Sequence, residues 1–173
     1  MHTLVPRRLT AEAFSPYGEV LHFDAGRSWP VNGGKALRAN TAARFDRAAS
    51  AEPMLAIYRS QGEPWPLRVD ILERHPDSSQ AFVALSVERF LVVVAPRNGS
   101  ADPDLSQVEA FIGRRGQGIN YARNVWHAPI RAIGPDGDFL MFMWERGTPD
   151  DCIVHQTREP LLVDGSASHM EQA

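Results

Sequence analysis

Residues 118–129 read G-I-N-Y-A-R-N-V-W-H-A-P and concentrate the chemistry of the chain. Asn120, Tyr121, Arg123, Asn124, Trp126 and His127 all fall there. Arginine offers a forked donor that matches a carboxylate. Histidine moves a proton near neutral pH or binds a metal. The segment suits one wall of a small-anion site. A second wall is offered by Glu73-Arg74-His75-Pro76 through Gln80. In an extended strand Glu73 and His75 share one face and Arg74 takes the other. Gln80 follows a turn at Pro76-Asp77, so Glu73, His75 and Gln80 could converge with His127. Two imidazoles with oxygen donors suit a divalent transition ion such as Zn, Ni, Mn or Fe. The same His-Pro pair also suits an ordinary turn with a satisfied histidine.

Other residues carry two readings each. Arg123 and Arg59 are the candidate anion clamps. Arg59 stands on an otherwise apolar strand, so it belongs either to a solvated face or to a paired position in a cavity. Arg74 shares that ambiguity. Trp126 could shield a cavity from water or belong to the core. Tyr121 could donate a proton or simply pack. Lys35, beside Asn32-Gly33-Gly34, could reach a carboxylate from a loop or stand free in solvent. Asn120 and Gln80 could hydrogen-bond a polar substrate.

Several kinds of machinery are missing. The sequence has no Gly-rich nucleotide loop, no G-x-S-x-G elbow and no H-E-x-x-H. The one cysteine, Cys152, follows Pro149-Asp150-Asp151, an acidic setting that disfavours a thiolate nucleophile. Acid–base, metal or binding chemistry remains. The net charge of −3 gives no basic field for nucleic acid or an anionic membrane. Of 173 residues 43% are hydrophobic and 23% charged, enough to build one cored domain. A single cysteine and the absence of a signal-length apolar run fit a cytoplasmic protein.

The elements that must position these groups are mostly strands. Thr10 can cap a short helix ending near Pro16. Strands are expected over residues 19–23, 53–59, 67–72, 81–87, 90–95, 130–133 and 139–144. The segments 81–87 and 90–95 are expected to pair. Residues 24–41 read as a loop with a turn at Asn32-Gly33-Gly34. Asp102-Pro103 followed by Leu105, Val108, Phe111 and Ile112 reads as a helix ended by Gly113. Many short strands with few helices indicate a barrel or sandwich.

At these residues the sequence resembles the ureidoglycolate lyases of allantoin catabolism. The matching pieces are L-E-R-H-P at 72–76, Q-A-F at 80–82, V-V-V-A at 92–95, P-D-L-S at 103–106, A-F-I at 110–112 and G-x-N-Y-x-R-N-V-W-H-x-P at 118–129. A-F-S-x-Y-G-x-V at 13–20, Gly147 and Asp151-Cys152 fit as well. The resemblance is strongest over 71–152 and ends near 163. It implies a mainly β, cupin-like jelly-roll barrel with a few short helices, in one domain spanning 1–163; the small, polar composition of residues 164–173 reads as a disordered tail. It implies a homodimer, with no nucleic-acid or membrane partner. It implies cleavage of (S)-ureidoglycolate to glyoxylate and urea, with Ni(2+) or another divalent metal and no organic cofactor. His75, His127, Arg123 and Gln80 become the expected catalytic set. Arg59, Arg74, Asn120, Tyr121, Trp126 and Lys35 become the expected substrate contacts. Glu73, His75, Gln80 and His127 become the expected metal donors. Asn40, Ala122 and Glu145 depart from the family pattern and bear on substrate preference. Another enzyme on the same barrel, releasing ammonia, and a non-catalytic small-acid binder remain as alternatives.

Overall fold

The computed structural model describes residues 3–100 and 102–165. The chain opens with β1 (Thr3–Leu4), β2 (Arg7–Arg8), α1 (Ala11–Phe14) and β3 (Gly18–His22). A hairpin follows, β4 (Ser28–Val31) and β5 (Ala36–Ala39). The body continues through β6 (Glu52–Ser60), β7 (Gly62–Glu63), β8 (Leu67–Arg74), β9 (Gln80–Ala84) and β10 (Arg89–Ala95). It ends with β11 (Glu109–Arg114), β12 (Gln117–Tyr121), β13 (Trp126–His127), β14 (Arg131–Ile133), β15 (Gly137–Glu145) and β16 (Ile153–Val163). Residue 165 is the last one described, so most of the expected tail lies outside the described residues.

Two sheets share the work. One is nine-stranded, with the path β1-β16-β8-β13-β10-β11-β2; the other runs β3-β12-β9-β15-β6. From β8 onward the chain crosses repeatedly between them. β8, β10 and β11 lie in the first, β9, β12 and β15 in the second, and β16 returns to the first. This winding is a jelly roll. Phe90, Val92, Val94 and Phe111 of the first sheet meet Phe82, Ile119, Phe139 and Met141 of the second. Each such buried side chain contributes about 1.5–3 kcal/mol relative to exposure. Leu91, Val93 and Ala95 point the other way, into a second cluster with Leu67, Val69, Trp126 and Val163. β10 is therefore buried on both faces, as its unbroken apolar run requires.

The alternation of β8 slips once. Leu67, Val69 and Leu72 are its buried apolar residues. The slip falls where β16 loses register between Gln156 and Leu161. There the carbonyl of Asp70 accepts from the side chains of Gln156 and Thr157 instead of a ladder partner. Beyond the slip, Leu72 faces the outer cluster and Glu73 faces the space between the sheets.

Thr10 caps α1 as its sequence suggests, accepting from the Ala13 amide at 3.2 Å. Three expectations are corrected. Residues 24–41 contain the β4–β5 hairpin around the Asn32–Gly34 turn. The segments around 81–87 and 90–95 lie in different sheets and do not pair. The expected helix after Pro103 is a single 3-10 turn, Leu105–Gln107, capped by Asp104 and followed by β11. β11 is buried on both faces, with Phe111 in one cluster and Ala110 and Ile112 in the other. A strand apolar on both faces mimics helical spacing.

Gly113 is thus not a helix stop. It pairs across from Phe90, and a Cβ there would lie 2.1 Å from the Phe90 ring. Phe90 is fully buried and has nowhere to move. Gly113→Ala is expected to cost about 1–3 kcal/mol by overpacking. Urea denaturation measures this; an unchanged midpoint would overturn the close packing of Gly113 on Phe90.

Candidate active site

Two rows of side chains face one another at one end of the sandwich. On the second sheet, Tyr121, Gln80, Met143 and Met54 stand side by side across β12, β9, β15 and β6. On the first, Val94, His127, Glu73 and Val154 stand side by side across β10, β13, β8 and β16. His75 joins them from the turn after β8. The Glu73, His75 and His127 donor atoms lie within 4.8 Å of one another.

The two imidazoles are held by the main chain. His75 Nδ1 donates to the Asp151 carbonyl at 2.8 Å, and His127 Nδ1 to the Val125 carbonyl at 2.9 Å. These bonds set the tautomer and leave each Nε2 with its lone pair facing the cluster. His75 Nε2 is buried and has no partner. His127 Nε2 lies 3.1 Å from Gln80 Oε1 and 3.6 Å from Glu73 Oε1. Gln80 Nε2 is turned away, 3.4 Å from Met143 Sδ. The cluster therefore gathers electron-pair donors from Glu73, His75 and His127, with Gln80 beside them. Tyr121 stacks on His127 with ring centroids 4.0 Å apart and planes 13° apart.

Electrostatics follow from burial and from these neighbours. Burial, then the adjacent His127, holds the His75 pKa below the ordinary imidazole value, so its lone pair is available at neutral pH. Burial works against ionisation of Glu73, but the hydrogen bond it accepts from His127 when that Nε2 carries a proton, and the nearby imidazoles, outweigh it and hold its carboxyl below the usual range. Burial, then the charge of Glu73, pushes the Tyr121 hydroxyl far up, and that hydroxyl has no hydrogen-bond partner. Cys152 lies 3.7 Å from Glu73 Oε2. Burial and that carboxylate push its thiol up to about 11, which agrees with its exclusion as a nucleophile.

The other expected contacts lie elsewhere in a single chain. Arg123 donates twice to the Pro76 carbonyl, at 2.9 and 2.8 Å, with Asp46 and Asp77 alongside. It braces the turn that carries His75. Arg74 lies on the outer face over the Trp126 ring, bonded to Asn124 Oδ1. Trp126 belongs to the outer cluster. Asn120 points away from the site, donating to Glu19 and to the Arg44 carbonyl. Arg59 is largely exposed and paired with Asp138 at 2.8 Å. Lys35 is exposed on the β4–β5 turn. The large open groove, about 1020 Å³, lies between β3 and residues 40–46 and does not include the imidazole cluster.

One residue of the site escaped the sequence. Tyr58 stands opposite Phe139 on the inner face of β6 and packs edge-on against Phe82, 5.7 Å away. Burial, then the charges of Glu73, Glu145 and Cys152, raises its hydroxyl pKa. The alternation of β6 could have signalled it, but Leu55 and Ile57 on the opposite face are apolar too.

A jelly-roll barrel holding two buried imidazoles and a carboxylate is a cupin-like protein able to take a divalent ion. Its residues 1–164 match the family model described as ureidoglycolate lyase. The chain belongs to the ureidoglycolate lyase family. A relative of that name from Pseudomonas syringae pv. tomato is 36% identical over 160 residues, 92% of each chain. Another, from Burkholderia cepacia, is 40% identical over 144 residues, covering 82% of this chain and 78% of its own. A solved epimerase from Legionella pneumophila aligns over 73% of this chain and 67% of its own, with 14% identity and a TM-score of 0.45.

The donor set carries its own test. Titration of chelator-treated protein with Ni²⁺ or Zn²⁺ is expected to show one equivalent bound per chain. Loss of an outer partner alone weakens a metal site about 10–100-fold, so His127→Ala should weaken this one at least as much. Equal binding by wild type and variant would remove the cluster as the site.

Proposed function

We propose that this protein is a ureidoglycolate lyase, cleaving (S)-ureidoglycolate to glyoxylate and urea. The observation that carries the reading is the family match over residues 1–164, which spans the buried cluster of Glu73, His75 and His127. The substrate is a hemiaminal with a carboxylate beside the reacting carbon. Its hydroxyl must lose a proton as the carbonyl forms. Its C–N bond must break while the departing urea nitrogen gains a proton. The balance needs no oxidant and no covalent intermediate.

The side chains supply these needs in the following way. His127 Nε2, with Glu73 Oε1 beside that same atom and the Val125 carbonyl behind the ring, takes the hydroxyl proton. The His75 ring, fixed by Asp151, keeps a lone pair on the same point. Gln80 orients the ureido group through its amide. Protonated His127 then returns that proton to the departing urea nitrogen, while Tyr58 and Tyr121, both held protonated, can donate hydrogen bonds there without losing theirs. Glu73, His75, His127 and Gln80 would hold a divalent ion, nickel by family resemblance, which would supply Lewis acidity toward the substrate oxygens. Arg123 acts through the His75–Pro76 turn and so is a positioning residue.

Incubation with racemic ureidoglycolate is expected to give equal amounts of glyoxylate and urea without ammonia. Ammonia would replace the lyase reading with hydrolysis of the ureido group, and no turnover would leave a small-acid binder. A positioned acid–base group contributes about 10²–10⁴ in rate, so His127→Ala should lower kcat by that order. Near-normal turnover would take His127 out of the chemistry. Arg59→Ala should leave kcat/KM within about twofold, because exposed ion pairs contribute little and this one faces solvent.

A further inference from the structure

The cluster has donors for protons and for a metal, but the described residues of one chain give it no free cation for a carboxylate. Each flanking arginine is engaged: Arg74 with Asn124, Arg123 with Pro76 and Arg146 with Asp77. The seam beside the cluster is also bare. β6 ends its sheet and, among the described residues, has no partner on its outer edge. Met54 and Tyr58 on its inner face and Leu55 and Ile57 on its outer face are all exposed. A nine-residue edge strand, apolar on both faces, is a surface that soluble proteins ordinarily cover.

A matching cover exists in the same sequence. Among the described residues the β4–β5 hairpin pairs only with itself, and it exposes Trp29 and Leu37. Between Asp24 and Asp46 the chain carries Arg27, Lys35, Arg38 and Arg44 and not one acidic residue. The seam has the opposite sign. Glu52 and Glu145 face one another across β6 and β15 on the inner face, and Glu145 and Glu73 both act on the Tyr58 hydroxyl of β6. Apolar meets apolar and basic meets acidic, which is what a self-complementary two-fold interface requires.

We propose that two copies of this chain form a dimer in which the β4–β5 hairpin of each lies across the β6 seam of the other. Lys35, or Arg38 once it leaves its exposed bond to Asn40, then enters the partner's site as the cation that holds the substrate carboxylate. Each site is complete only in the pair. The role of the cation rests on the lyase reading; the interface does not.

Complementation separates the possibilities. Lys35→Ala combined with Arg38→Ala leaves the barrel intact, and His127→Ala leaves the hairpin intact. Removing a charged hydrogen-bonding partner should cost at least about tenfold in kcat/KM, seen mainly in KM. Circular dichroism melts establish that both variants fold, and Lys35→Arg on the Arg38→Ala background should restore part of the loss. Co-refolding the two variants in equal amounts should recover about one quarter of wild-type activity, because half the dimers are mixed and each mixed dimer holds one complete site. Recovery no greater than the average of the parents would place the hairpin on its own chain's site and overturn the proposal. Sedimentation reads the interface without turnover. Wild type should run as two chains, and Leu55→Asp with Ile57→Asp as one. A monomeric wild type, or a variant that stays dimeric, would also overturn it. Absence of turnover by wild type would sink the lyase reading and the role of the cation, while sedimentation would still decide the interface.

Discussion

Two main-chain carbonyls determine what this barrel can do. Asp151 and Val125 accept from the Nδ1 atoms of His75 and His127, and so turn both Nε2 lone pairs toward one point. A buried imidazole without such a partner would be free to flip or to choose its tautomer. A buried unpaired polar atom costs about 1–3 kcal/mol. The fold bears that cost at His75 Nε2, which faces the cluster with no protein partner. Orphaned groups of this kind are tolerated where function needs them. Glu73 and Gln80 add oxygen atoms at the same point, and the arrangement is coherent only if a proton, a cation or a substrate stands among them.

Most of the 118–129 motif works to hold that arrangement. Tyr121 stacks on His127, and such a pair contributes about 0.5–1.5 kcal/mol beyond its burial. Arg123 grips the Pro76 carbonyl, and the Asn124 amide donates to the carbonyl of His75 at 3.1 Å. Asn124 does so from a left-handed backbone, φ 64°, a conformation asparagine tolerates better than most residues. Its side chain meets Arg74, which lies over Trp126. In a single chain Arg123, a candidate anion clamp by sequence, and Arg74 are therefore struts. They fix the turn carrying one histidine against the strand carrying the other.

The parts legible in sequence were those that depend on local period or on a short turn. Thr10, the strands over 53–59, 67–72, 90–95, 130–133 and 139–144, and the meeting of Glu73, His75, Gln80 and His127 are of that kind. The facing of Arg59, Arg74 and Asn120 was not legible, because it depends on register and on which sheet a strand enters. The slip in β8 is an example: it turns Glu73 inward, and it is set by Gln156 and Thr157, which lie far along the chain. β11 read as a helix because burial on both faces removes the alternation that marks a strand. Tyr58 was hidden for a related reason, since β6 is apolar on both faces at an open edge.

Charge ties the site to that open edge. Glu73, Glu52 and Glu145 all face the seam, and the substrate proposed for it is an anion. Two like charges 4 Å apart oppose one another by about 4 kcal/mol at an effective dielectric near 20. That exceeds the roughly 1.4 kcal/mol that makes a tenfold change in affinity. Without a bound cation, the side chains of a lone chain would thus disfavour the carboxylate they are built to process. A positive cover over the seam reverses the sign and excludes water from the cluster, which strengthens every remaining charge interaction within it. The basic, acid-free stretch from Arg27 to Arg44 is the part of this sequence whose composition meets that need. Its placement outside the barrel is then understandable: the group that neutralises the substrate arrives with the partner that closes the site.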